Sequence, residues 1–329
     1  MVKMKAILFD EPCNADKLYI GEIPKPEVGE EEILVEVKAA ALNRADILQR
    51  LGKYPPPLGA SPVLGLEIAG TVAEVGSKVF KWKTGDKVFG LIPGGGYAQY
   101  AVIHEEMAMK IPDNLTFEQA AAIPEAFLTA YQAIVWLAEL KPAEYILIHA
   151  GASGVGTAAI QLAGEIGAKI IITASAEKHF ICKELGAEVL IDYKSQNFRE
   201  VVMRTTNDYG VDVVIDFIGA NYFNDNIESL ARDGRLILLA TLSGGKVKEF
   251  DVRQILSKRL KIIGSTLRSR SLEYQIKLTK DFKQFAYEKI SSGKIKPVID
   301  KVYDWKDVAQ AHMRMEENKN IGKIVLKIN

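Results

Sequence analysis

The chain has few of the residues that build covalent or metal frameworks. Of its 329 residues only two are cysteine, Cys13 and Cys182, far apart and outside any CxxC spacing. That excludes a disulfide framework and suits a reducing compartment, so a cytoplasmic protein is expected. The four histidines, His104, His149, His179 and His312, show neither HxH nor i,i+4 spacing. Each reads as a surface or strand residue rather than a metal ligand. Charge of one sign is also lacking: 42 Lys plus Arg balance 42 Asp plus Glu. No net field draws the chain to nucleic acid or an anionic membrane. The opening MVKMKAILFD has an apolar run of four residues, too short for a signal segment, and no later run reads as a bilayer span of ~20 residues.

What is present is a change of texture along the chain. From residue 1 to about 115, short β-like runs (KAILF, EEILVEV, GTVAEVG, DKVFGLI, YAQYAVI) alternate with Gly and Pro clusters such as KYPPPLGASP. That pattern predicts an irregular β-rich domain. From about 120, apolar strands (YILIHA, KIIITA, EVLID, VDVVIDFIG, RLILLA, KIIGST) are separated by helix-length segments. Such alternation predicts an α/β doubly wound parallel sheet. The closing stretch has a helix-like DWKDVAQAHMRMEEN and a strand KIVLKI, expected to return to the first domain. The predicted division is 1–120, 121–265 and 266–329. Thr116 and Gln119 carry a capping-box pattern, so the connection reads as ordered rather than as a loose linker.

The sharpest motif is Tyr145-Ile-Leu-Ile-His-Ala-Gly151-Ala-Ser153-Gly154-Val155-Gly156, followed by TAAIQLAGEIGA. A buried strand enters a small-residue turn and then a helix whose Val155, Ala158, Ala159, Leu162 and Ile166 share a face, with Gly167 as its stop. Small residues let a pyrophosphate approach the backbone, and the helix N-terminus favours its charge. Gly151, Ser153, Gly154, Val155 and Gly156 are therefore dinucleotide-binding candidates, Ser153 standing where the common pattern has glycine. About 20 residues on, an acid would grip a ribose 2′-hydroxyl. Here the strand ends in Ala174-Ser175-Ala176, leaving room for a 2′-phosphate, with Lys178 and Tyr193 close in sequence and Glu177 opposing. NADPH is the expected cofactor. Lys178 read alone is equally an ordinary solvated lysine.

The segment Asn43-Arg44-Ala45-Asp46, with Gln49-Arg50, Gly52-Lys53-Tyr54-Pro55 and Gly65-Leu66-Glu67-Ile68-Ala69-Gly70, resembles the quinone oxidoreductase branch of the medium-chain dehydrogenase/reductase superfamily. The matching blocks Gly94 to Tyr100, Ala122 to Tyr131, His149 to Gly156 and Asn318 to Val325 extend the resemblance over the whole chain. The subgroup it is most similar to includes the tumour-suppressor-inducible quinone oxidoreductase. The resemblance implies a GroES-like catalytic domain formed by the two chain ends around a Rossmann domain, with the active site in a cleft between them. It also implies a homodimer, with RLILLATLSGG as the interface candidate.

Zinc-dependent members of that superfamily carry a Cys where this chain has Asn43 and a His where it has Leu66. No metal is expected. Without a Lewis acid, readily reduced quinones or enones are favoured over simple alcohols. Tyr54 and Asn43 are the catalytic candidates, Tyr54 to stack on the acceptor or donate to its developing oxyanion and Asn43 as a second donor. Tyr54 packed in its Pro-rich loop, and an Arg44–Asp46 ion pair, are the bland alternatives. By resemblance Thr129 lies near the nicotinamide carboxamide, while Leu267, Arg268, Asn320 and Lys323 close the cofactor pocket. Arg268 and Arg270 otherwise read as a basic pair on a loop. The leading expectation is NADPH-dependent quinone reduction. Its rivals are 2-alkenal or enone reduction, and a non-catalytic NADPH-binding role of the crystallin or RNA-binding kind, the latter disfavoured by the balanced charge.

Overall fold

A computed structural model of the protein describes residues 2–329. The chain forms two compact units, one of residues up to Leu128 together with Arg268–Asn329, the other Thr129–Leu267. The second boundary lies within two residues of the expected one. The first falls eight residues later, inside the helix Pro124–Tyr131. The reason is packing: the preceding helix Phe117–Ala121 lies against the strands Glu32–Ala41 and Glu67–Val75 and belongs to the first unit. Its capping box is formed, with Gln119 N donating to Thr116 Oγ1 at 3.2 Å and Thr116 N to Gln119 Oε1 at 2.9 Å.

The first unit is built on a seven-stranded sheet. Its longest strand, Glu32–Ala41, pairs antiparallel with Glu67–Val75, with Tyr100–His104 and with the closing strand Lys323–Lys327. That closing strand also pairs in parallel with Ile299–Asp304, so both chain ends share one sheet, as expected. Most of Glu32–Ala41 is buried, with Ile33–Val35 and Ala39–Ala41 as continuous buried runs, so this central strand is covered on both faces over much of its length.

The second unit holds six parallel strands in the spatial order Val189–Asp192, Lys169–Ala174, Tyr145–Ile148, Val211–Asp216, Leu230–Leu238, Lys261–Gly264. Counted along this unit the order is 3-2-1-4-5-6, the doubly wound Rossmann arrangement. Every residue of Val211–Asp216 is buried, as strands covered on both faces require. The strand order reverses between Tyr145–Ile148 and Val211–Asp216, where ligands of such sheets bind beyond the strands' carboxyl ends.

One helix is more widely buried than its motif alone shows, and one expectation needs correction. The helix Gly154–Ile166 is buried on more than one face, since Thr157, Ile160, Gln161 and Ala163 are buried as well as Ala158, Ala159 and Leu162. It is covered on several sides, so a single apolar stripe understates its burial. Against the expectation that no run approaches bilayer length, the stretch Phe117–Leu137 is long and apolar enough by composition, with mean hydropathy 1.3 over an 18-residue window. That window is 72% buried inside the protein, which makes it a core helix here. Its last turns, Gln132–Leu137, are π-helical.

Candidate active site

The strand Tyr145–Ile148 delivers the chain into the small-residue turn, and Ser153 caps the 13-residue helix Gly154–Ile166 by accepting from Gly156 N at 3.0 Å. Gly154 and Val155 open the helix, where backbone N–H groups have no intrahelical acceptor. No acidic residue occupies this first turn, so the positive end of the helix is unneutralised. Close packing explains Gly156: a Cβ there would stand 2.3 Å from Ala150 O and 2.6 Å from Gly151 O. Gly167 ends the helix at φ +87°, a conformation that favours glycine. A dinucleotide pyrophosphate fits this turn. Thr129, in the helix Pro124–Tyr131, has its Oγ1 buried without a hydrogen-bond partner among the described residues.

Directly beneath the turn lies a polar chain that sequence reasoning missed. His149, fully buried, makes contacts through Nδ1 to Thr173 Oγ1 at 2.9 Å and through Nε2 to Asn226 Oδ1 at 2.7 Å. The amide oxygen of Asn226 can only accept, so Nε2 carries the proton and Thr173 donates to Nδ1. Asn226 Nδ2 then donates to Asp216 at 3.1 Å, which also accepts from Ile218 N at 2.6 Å and from Gly219 N. Burial pulls the imidazole down to about 4 and pushes the Asp216 carboxyl up to about 6. The chain ties the strands Lys169–Ala174 and Val211–Asp216 and the helix Phe223–Ser229 to the segment that follows Tyr145–Ile148.

At the end of the strand Lys169–Ala174, Ser175 is buried while Lys178 is part-exposed in the short 3-10 turn Ala176–Lys178. Tyr193 is half-exposed. The exposed Glu177 carboxylate accepts from its own backbone N–H and from the Ser175 hydroxyl and pairs with Lys194 at 3.3 Å, contacts that hold it near 2. An acid thus stands on the serine whose small size favoured a 2′-phosphate, and the choice between the two dinucleotides is not made by Ala174-Ser175-Ala176 alone.

The first unit supplies a second cluster. Lys323, buried, places its ammonium on Leu42 O at 2.7 Å, Asn43 Oδ1 at 2.6 Å and Glu67 Oε1 at 2.7 Å. Asn43 Nδ2 donates to Glu67 Oε1 at 2.9 Å and to Ala41 O at 3.3 Å. Both amide hydrogens are committed inside the protein, which leaves Asn43 no spare N–H for a substrate oxyanion. Asn43 and Lys323 act here as a buried polar clasp between the first and last segments of the unit. Asn320, on the loop before it, donates Nδ2 to Gly322 O at 2.9 Å.

Asp46 accepts from Asn43 N at 2.8 Å, Gly65 N at 2.9 Å and the Tyr97 hydroxyl at 3.3 Å, and burial pushes its carboxyl up to about 6. The suggested Arg44–Asp46 ion pair is absent among the described residues: Arg44 Nη2 turns to Met315 O and Asn318 Oδ1. His312 also departs from expectation, being fully buried on helix Val308–Glu316 with Nδ1 at 3.1 Å from Arg50 Nη1. His149 and His312 are core residues rather than surface ones, because each buries one neutral ring among packed neighbours.

Beside this clasp stand Tyr54, Glu125 and Arg268. Tyr54 is half-buried, its ring centroid 5.6 Å from the Arg268 guanidinium carbon. Arg268 is buried; Nε donates to Pro93 O at 2.8 Å, while Nη1 and Nη2 have no hydrogen-bond partner among the described residues. Glu125 N, in the first turn of its helix, donates to Glu67 Oε2 at 2.8 Å. Its own Oε2 is shut from solvent without a partner, and burial followed by the Glu67 charge pushes the carboxyl up to about 7. Leu267, the last residue of the other unit, is buried. Unpaired buried donors and acceptors cost about 1–3 kcal/mol each, so such a set is the mark of a ligand site. A zinc ion does not fit the positions that zinc-dependent relatives use. Leu66 offers no donor, and the Asn43 and Glu67 oxygens already hold the Lys323 ammonium.

The alcohol dehydrogenase GroES-like domain family matches residues 29–113, and the zinc-binding dehydrogenase family matches residues 154–286. Human quinone oxidoreductase is 31% identical over 98% of this chain and 97% of its own length. The chain belongs to the medium-chain dehydrogenase/reductase superfamily. Among solved structures, the quinone oxidoreductase of Coxiella burnetii superposes with TM-score 0.83 at 32% identity, covering both chains completely. The CurK enoyl reductase superposes with TM-score 0.87 at 28% identity over 99% of each chain. As a medium-chain oxidoreductase, this protein uses a nicotinamide dinucleotide.

Proposed function

We propose that this protein reduces quinones with NADPH and without zinc. A bound reduced nicotinamide dinucleotide supplies the hydride. The observation that carries the reading is the cluster of Tyr54, Glu125 and Arg268, an aromatic ring beside two buried, unpartnered Nη groups and an unpartnered carboxyl oxygen. A flat acceptor with carbonyl oxygens matches that combination: the ring stacks, and the guanidinium receives developing negative charge. Names of relatives aligned over nearly their whole length, human quinone oxidoreductase among them, support the same substrate class. Likeness to the CurK enoyl reductase supports a second reading, hydride delivery to a conjugated double bond. The cofactor choice rests on Ser175, Lys178 and Tyr193 against Glu177. A second copy of this chain is the proposed partner, since Leu242, Val252 and Leu256 are exposed close in sequence to the edge strand Lys261–Gly264.

The test is a binding titration of metal-stripped protein with NADPH and NADH, followed by turnover on a naphthoquinone and on a 2-alkenal. Tight NADPH binding with quinone-dependent oxidation is expected. An alkenal preferred by orders of magnitude moves the assignment to enone reduction, and equal binding of NADH removes the NADPH preference.

A further inference from the structure

Reduction of a carbonyl acceptor needs a proton as well as a hydride, and the proton source is not supplied by the dinucleotide. Glu125 has the position of such a source. It opens the helix Pro124–Tyr131, its backbone N–H is anchored on Glu67 Oε2 at 2.8 Å, and its Oε2 is buried with nothing bonded to it. The groups whose charges reach it come from four other segments: Glu67 and Asp46 raise its proton affinity, Lys323 and Arg268 lower it. Tyr54 completes the surround, its phenol raised by burial first and by the Glu125 charge second. Asn43, fully committed to Lys323, Glu67 and Ala41, cannot serve as the donor.

We infer that Glu125 is the catalytic acid of this site, giving its proton to the oxygen of the acceptor as hydride arrives. The inference rests on the reductase reading above. In the step, the Glu125 O–H bond breaks while the acceptor O–H bond forms. The acceptor gains two electrons with the hydride, and the dinucleotide is oxidised. The carboxylate left behind is held near Arg268 and Lys323 until solvent returns the proton. A carboxyl raised to about 7 is well matched to this work, being substantially protonated at neutral pH.

The experiment has two arms on the full-length protein. Infrared difference spectra of the ligand-free wild type against Glu125→Gln should show a protonated-carboxyl band that disappears as pH rises through about 7. Turnover with a naphthoquinone should show wild-type kcat falling over the same interval. Glu125→Gln should lower kcat by about 100-fold and flatten that profile, with NADPH binding unchanged. Glu125→Asp should keep an inflection at reduced kcat, guarding against a merely misfolded glutamine variant. Absence of the band, or a glutamine variant that retains the inflection or the wild-type rate, overturns the inference while leaving the reductase reading intact. No turnover of wild type with either a naphthoquinone or a 2-alkenal overturns both.

Discussion

At the scale of single residues, buried polar groups dominate the first unit. Lys323 and Glu67 are nearly solvent-free and bond one another directly. Removing one partner of such a pair typically costs about 3–5 kcal/mol, because the other charge is left buried alone. Lys323→Met should therefore lower stability by that order in urea or guanidinium titrations, and Lys323→Met with Glu67→Gln should recover part of the loss. The two core histidines give stability a dependence on acid. Their folded proton affinities lie below the unfolded value of 6.5, at about 4 for His149 and about 3 for His312. The unfolded chain thus binds more protons as pH falls below about 6.5, and this contribution is lost progressively toward 4. Asp46, Glu125 and Asp216, all raised, pull the other way, so the sign is isolated with a variant. His149→Gln should flatten the slope of stability against pH between 6.5 and 4, by up to about 1.4 kcal/mol per pH unit.

At the scale of elements, the helix Gly154–Ile166 joins packing to binding. Ser153→Ala removes the acceptor for Gly156 N and should cost about 1 kcal/mol, read as a lowered melting temperature, together with weaker dinucleotide binding. Gly156→Ala should do more, because its added carbon meets two backbone oxygens of a turn that cannot move aside. Loss of NADPH binding by fluorescence titration beyond tenfold is the expected result; unchanged affinity would mean the turn does not receive the pyrophosphate. Strand-turn-helix order was legible here because each piece is local. The polar chain under it was not, since Thr173 and Asn226 meet His149, and Asp216 meets Asn226, from separate strands and a helix, and no spacing in the sequence relates them.

At the scale of the whole molecule, the first unit depends on residues from both ends of the chain. The strand Lys323–Lys327 lies inside its sheet, between Ile299–Asp304 and Glu32–Ala41, and carries the lysine that clasps Asn43. Truncation after Gly322 should leave the first unit unfolded, seen as lost strand signal in circular dichroism and protease sensitivity confined to residues up to 128 and beyond 267. Survival of a folded first unit would show the closing strand to be dispensable.

The sequence by itself determined the periodicities: six apolar runs alternating with helices for the parallel sheet, short punctuated strands for the other unit, and the small-residue turn before its helix. Those follow from local propensity and phosphate chemistry, which neighbours in the chain are enough to express. Only the tertiary structure decided which polar groups are spent and which remain available. Asn43, a catalytic candidate by motif, is consumed by Lys323 from 280 residues away, whereas Glu125 and Arg268 bring unpartnered atoms to the side of Tyr54. Burial sets the proton affinity of each such group, and burial is a property of the folded neighbourhood rather than of the residue.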